Sequence, residues 1–305
     1  MIEAQRLAVF REVAHRGSFA QAAQALRLTP SAVSQQMAAL ERAAQAGLFE
    51  RSTRGVTLTA AGQALLRTAD TIHGELHRAE RALAQLREQG PPSLTVATFA
   101  SAGTLLLAPA LATLNARRAP HVDTTVIESE PEQALAALDD GSADMALVYH
   151  FHTRQPPPNW ADIAHRYAYH PLLQDELRLV VPNGHALARR SAARLDDVAD
   201  EPWIQMWDLP GNALDALASA HGLRPKVACR AGDFPFMQAL VAAGVGIAFI
   251  PALAVEDRPD TRALVLTPTA KRYIGAYTAP DTPSNHASRA LLDALKERAA
   301  AIHTS

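Results

Sequence analysis

The 305-residue sequence predicts an α+β chain in three parts: a small helical unit closed by a two-strand wing (1–58), a long helix (59–89), and a two-lobed α/β domain (90–305). Three observations predict it. Ser18 to Thr59 runs in order through a cap, a short helix, a turn, a helix with one polar face, and a basic hairpin. From Leu58 to Leu86, apolar or small residues recur at alternating spacings of four and three, the seam of helices packed side by side. Beyond Gly90-Pro91-Pro92 the pattern becomes strands alternating with helices, which argues for parallel α/β layers.

Ile2 to His15 reads as the first helix, because Leu7, Phe10, Val13 and Ala14 share a face and Gly17 stops it. Ser18-Phe19-Ala20-Gln21 matches a capping box, with Ser18 as N-cap and Gln21 reaching back. Ala22, Ala23 and Leu26 give the short helix a closely packing face. Arg27-Leu28 turns the chain into Thr29, an N-cap, and Pro30 takes the first helical position, where its missing N–H does no harm. Around the next helix Val33, Met37 and Leu40 fall on one side, and Ser31, Ser34, Gln35, Ala38 and Arg42 on the other. The polar side suits a DNA major groove: Gln pairs bidentately with adenine, and Ser and Arg reach base edges or phosphates. Leu48 to Thr59 reads as two strands turning near Arg54-Gly55, with Arg51 and Arg54 placed where a phosphate backbone would pass.

Ser18-Phe19, Ala22-Ala23, Leu26, Thr29 through Gln36, Leu40-Glu41, Leu48 through Arg51, Leu58-Thr59 and Gly62 together resemble the winged helix-turn-helix of LysR-type transcriptional regulators. The resemblance implies double-stranded DNA as partner, with Ser18, Thr29, Pro30, Ser31, Ser34, Gln35, Gln36, Arg42, Arg51 and Arg54 as the contact set. It also implies a dimerising linker helix, tetramers through the C-terminal domains, and an effector domain laid out like periplasmic solute-binding proteins. One departure is local: the family usually has Gly in the turn after the reading helix, where this chain has Ala44-Gln45-Ala46 before Gly47.

Thr59 opens the long helix, about 45 Å at 1.5 Å per residue, and the seam within it predicts a dimer. Strands are expected at Leu94–Phe99, Thr124–Ile127, Met145–Val148, Leu177–Val181, Trp203–Met206, Val227–Cys229, Ile247–Ile250 and Tyr273–Tyr277, with a closing helix from Ser288 to Ile302. Lobe 1 is expected at about 93–160 and 267–305, and lobe 2 at about 161–266, with a loop at Gln155–Asn159 before the crossing.

A net charge of -2 conceals an asymmetry: residues 1–67 hold eight Arg against four Glu and no Asp, leaving the rest acidic. That confines expected DNA contact to one end. The single cysteine, Cys229, excludes an intrachain disulfide and a cysteine metal cluster. The N-terminus lacks an apolar signal core, and the longest apolar run, Leu240 to Val255, is interrupted by Gly244, Gly246 and Pro251. A soluble, cytoplasmic protein is expected, outside the membrane.

Ligands of open α/β sheets bind at the carboxyl ends of strands, and helix N-termini favour anions. The strand ending at Phe99 runs into a helix near Ser101, so Thr98, Ser101 and Thr104 are candidates to bind an effector; the LysR resemblance places an effector contact at this junction. From the second lobe Gln205 and Gly232-Asp233-Phe234-Pro235 should face the cleft, with Trp203 and Phe234 as apolar walls. These residues suggest a small ligand with one anionic or polar head. No metal or other cofactor is expected. The twelve His are scattered, and nucleophile-elbow, phosphate-loop and zinc-protease motifs are absent, so the chain does not read as an enzyme. The alternative is a DNA-binding regulator whose C-terminal domain only assembles oligomers; further off is a solute-binding module joined to a helical protein-interaction unit.

Overall fold

Three helices, α1 (Ala4–Arg16), α2 (Phe19–Ala25) and α3 (Pro30–Ala44), turn their apolar faces to one another. A hairpin of β1 (Phe49–Ser52) and β2 (Gly55–Leu58) closes the unit. The computed structural model describes residues 1–52, 55–88, 92–116, 122–151, 167–206, 214–215, 222, 224–267, 271–279 and 286–303. Val33, Met37 and Leu40 are buried against Phe10, Val13, Ala22 and Ala23, as the helical spacing dictates. Ser18 Oγ accepts from the Gln21 amide at 3.4 Å, but the reciprocal Gln21 side-chain bond of a capping box is not made. Gly17 ends α1 at φ 61°, and its carbonyl accepts from the Val56 amide at 3.0 Å, tying the wing to α1. After α3, Gln45 itself adopts φ 52°, so the turn closes without glycine, at a cost of about 1 kcal/mol.

The long helix α4 (Ala60–Glu88) starts at Thr59, whose Oγ1 accepts from the Gly62 amide at 3.0 Å. Its seam does two different jobs. Gly62 and Ala69 are buried, and Leu65 and Ile72 pack on the core of the winged unit in the same chain. Leu76 and Leu83 are each 52% exposed, and Ala79 between them is exposed too. The uninterrupted intermolecular seam expected from Leu58 to Leu86 is therefore corrected: its first half is intramolecular core, because α1 and the wing already cover it. The side chain of Leu86 and residues Gly90-Pro91 lie outside the described residues.

The C-terminal domain contains β3 (Ser93–Thr98), a helical run of α5 (Ala100–Ala102), a π-turn (Gly103–Leu107) and α6 (Ala108–Ala116), then β4 (Asp123–Glu128), α7 (Pro131–Asp139) and β5 (Met145–His150). It continues through β6 (Ala168–Pro182), β7 (Ala192–Arg194), β8 (Pro202–Met206), β9 (Lys226–Ala231), α8 (Phe234–Ala242), β10 (Ile247–Pro251), β11 (Thr261–Thr267), β12 (Lys271–Thr278) and α9 (His286–His303). The main strand order is β4-β3-β5-β12-β6-β10-β8-β9, with β11 attached to β6 and β7 to β11. One strand serves both lobes. Residues 168–176 of β6 pair with β12, while Leu177 onward pairs with β10 and β11. The crossover expected at 161 thus falls inside β6, because this strand is 15 residues long rather than the five read from its apolar core. The loop expected at Gln155–Asn159 lies outside the described residues.

The linker helix also touches lobe 1. Gly74 faces the C-terminal end of α7 so closely that a Cβ there would overlap the Asp139 carbonyl, and a Cβ on Gly141 would meet the Gly74 carbonyl. Arg78 Nη1 donates to the Leu138 carbonyl at 3.2 Å. Arg11 bridges Asp70 at 2.8 Å and Asp140 at 3.6 Å. Burial pushes the Asp70 carboxyl up, but hydrogen bonds from His15 and Arg11 outweigh it and hold it below the usual range. His73 is held low, first by burial and then by the nearby Arg11 charge.

Candidate DNA-contact face and interlobe cavity

Opposite the buried side of α3, Pro30, Ser31, Gln35 and Arg42 are exposed and Ser34 is half-buried. Thr29 spends its hydroxyl on the helix cap, accepting from the Ala32 amide at 3.2 Å and lying 3.0 Å from Ser31 Oγ. Gln36 Oε1 is covered and unpaired, so this side chain turns partly toward the protein. Arg42 Nε donates to the Ala38 carbonyl at 3.2 Å, laying the side chain along the helix. Arg51 sits in β1; its side chain, and all of Arg54, lie outside the described residues. Arg27, read from the sequence as a connector, is exposed at φ 53° in the turn before α3 and adds a positive charge near the helix N-terminus.

Between the lobes lies a cavity of about 410 Å³. Ser101, Thr104, Asp233 and Phe234 line it, brought together from the carboxyl ends of β3 and β9. Gln205 lines a recess adjoining the cavity and donates from Nε2 to Asp215 Oδ1 at 2.9 Å. Two expected residues are elsewhere. Thr98 is buried and donates to the Phe99 carbonyl at 3.3 Å. Trp203 is 0% exposed in the lobe 2 core, with its ring 4.6 Å from Phe249. It precedes Gln205 by one strand repeat, so it lies beneath the cleft rather than in its wall. Ser101 is not a helix cap: Phe99 holds the cap position and Ser101 lies inside the first turn. Asp233 is a cap, accepting from the Phe236 amide at 2.6 Å.

The cavity floor holds what sequence reasoning missed. Arg272 on β12 and Asp175 on β6 stand opposite each other in register, 2% and 1% exposed. Arg272 Nε and Nη2 approach the same Asp175 oxygen, at 2.8 and 2.7 Å, so only Nε is well aligned and Nη2 is left without a hydrogen bond. Nη1 donates to Ser101 Oγ at 3.0 Å. The guanidinium lies 5.4, 5.7 and 5.9 Å from the ring centres of Phe99, Tyr149 and Phe234. Burial pushes the Asp175 carboxyl up and the Arg272 guanidinium down, while their mutual attraction opposes both shifts. Tyr149 donates to Glu130 Oε2 at 3.0 Å; burial, followed by the Glu130 charge, raises its phenol. Glu130 sits just past the end of β4, so the strand-end rule that points to Ser101 points equally to it. Among the described residues no His, Cys, Asp and Glu group has metal-binding geometry, and no helix is long and apolar enough to cross a membrane.

Comparisons with known proteins agree in both parts of the chain. The model for the bacterial regulatory helix-turn-helix protein, lysR family, matches residues 4–63, and that for the LysR substrate binding domain matches residues 87–300. The HTH-type transcriptional regulator CbbR of Xanthobacter flavus is 30% identical over 297 residues, 94% of this chain and 85% of that relative. Among solved structures, a full-length OxyR variant from Pseudomonas aeruginosa has a TM-score of 0.59 at 18% identity, covering 97% of this chain and 95% of that one. CbnR, a LysR family transcriptional regulator, has a TM-score of 0.57 at 22% identity, covering 98% of each chain. At these identities the two structures share the fold.

Proposed function

Because the chain belongs to the LysR family of DNA-binding transcriptional regulators, we propose that α3 reads its operator while the interlobe cavity senses a small molecule. The polar face of α3 carries the first half: Ser31, Ser34, Gln35 and Arg42 meet bases or phosphates, with the burial of Val33, Met37 and Leu40 fixing which way they point. Ser18, Thr29, Pro30 and Gln36 hold the helix ends and backbone against the duplex, and Arg51 and Arg54 of the wing clamp phosphate. The Ser101–Arg272–Asp175 chain beside an open cavity supports the second half, since it holds Ser101 Oγ as an acceptor toward Arg272 and leaves the hydroxyl proton to donate into the cavity. Thr104, Gln205, Asp233 and Phe234 complete that site. The functional units are 1–58, 59–89 and 90–305, working in the cytoplasm as a dimer or higher oligomer.

The test is a pair of titrations on the full chain. DNA affinity should fall linearly on a log–log plot against salt. Mapping of bound genomic fragments should return one motif; binding that ignores both salt and sequence would overturn the DNA reading. A compound that raises the melting temperature and shifts DNA affinity separates sensing from a domain that only assembles oligomers.

A further inference from the structure

We infer that the ligand of the interlobe cavity carries no net negative charge: it offers an acceptor oxygen to Ser101 and a protonated amine or other N–H donor to Glu130 and Asp233. This rests on reading that cavity as the sensing site. The resemblance alone, with Ser101 at a strand-to-helix junction, suggests an anionic head. The charges lining the cavity run the other way.

Three carboxylates line the cavity, Glu130, Asp233 and Glu256, against one cation among the described lining residues, Arg272. Arg272 is already neutralised by buried Asp175 at 2.7 Å. Glu256 has Arg258 Nη1 at 3.9 Å, a long and partly exposed pairing. Glu130 accepts from the Tyr149 hydroxyl, and Asp233 from the Phe236 amide. Those donors are neutral and leave both charges in place, and the cation within electrostatic reach of Glu130 is Arg272, which Asp175 already neutralises. A carboxylate or phosphate entering the cavity therefore meets like charges, while the cation among the described lining residues, Arg272, is committed to Asp175.

An acceptor is nonetheless wanted. Arg272 lines the cavity, but its Nη2 is buried against Asp175 at 2.7 Å, so the donor available to a ligand is Ser101. Ser101 Oγ already accepts from Arg272 Nη1, so its own proton is free to be donated. A carbonyl, amide or alcohol oxygen accepts that proton without bringing a charge. The rest of the wall, Phe99, Phe234, Leu253 and Val255 among it, accommodates an apolar body. The class is thus a small amphiphile with an uncharged oxygen and a basic nitrogen, such as an amino amide or amino alcohol.

The experiment uses the full chain and a matched panel of amino amides, amino alcohols, neutral amides and the isosteric carboxylates, read by thermal shift and calorimetry. Amine-bearing members should bind and carboxylates should not. Glu130→Gln and Asp233→Asn keep shape, and Asn still caps a helix, so each should weaken amine binding about tenfold and ease carboxylate entry. Tighter binding by the carboxylates, or amine binding indifferent to both substitutions, overturns the charge inference while leaving a sensing cavity. If no member of any class binds, the sensing reading itself fails, and this inference falls with it.

Discussion

Asp175 and Arg272 are the most consequential single residues in the C-terminal domain, because each is buried and each is the other's counter-charge. Asp175→Asn strands a buried guanidinium and should destabilise the domain by about 3–5 kcal/mol, measured by urea denaturation. Ser101→Ala removes one acceptor from the same guanidinium and should cost about 1–3 kcal/mol. In the N-terminal unit, Gln35→Ala should leave the fold intact and lower discrimination between operators by about 1–3 kcal/mol, read from competition binding. The difference in legibility between these residues is physical. Gln35 and Ser31 follow from spacing within one helix, which a single sequence displays. The Arg272–Asp175 pair joins positions 97 apart, so its partnership exists only once β6 and β12 are in register.

At the scale of elements, α4 is the instructive case. Its four–three spacing was readable; which half faces which neighbour was not, since that depends on the winged unit folding back over Gly62, Ala69 and Ile72. Leu76→Asp with Leu83→Asp should therefore weaken self-association in sedimentation while leaving the melting of the winged unit unchanged. Ile72→Asp should instead unfold that unit, by placing a charge in its core. The contact of α4 with α7 predicts a pH dependence. His73 has a folded-state pKa below its ordinary 6.5, so the folded form resists protonation more than the unfolded one. Its contribution is present above about pH 6.5 and is lost as pH falls through the lowered value. Asp70 acts at lower pH: its depressed pKa gives stability above the ordinary 3.8 that disappears as acid protonates it. Amide exchange at α7 should accordingly quicken between about pH 7 and 5 relative to α9, with the intrinsic acid slowing of exchange divided out; equal ratios at both pH values would count against the contact.

Across the whole molecule, a basic end and an acidic body were evident from composition, and the layer order from the pattern of strands and helices. The exact crossing between lobes was not, because an apolar run marks where a strand is buried and not how far it extends. That crossing governs how the cavity can open. β6 passes unbroken from one sheet to the other at Glu176–Leu177, one residue from Asp175. The lobes are thus spliced by a continuous piece of pleated backbone, more a torsion bar than a door hinge. Any change in the angle between them must be carried as twist along β6, and a strand at one outer edge, such as β4, would register that rotation as surely as the cavity does.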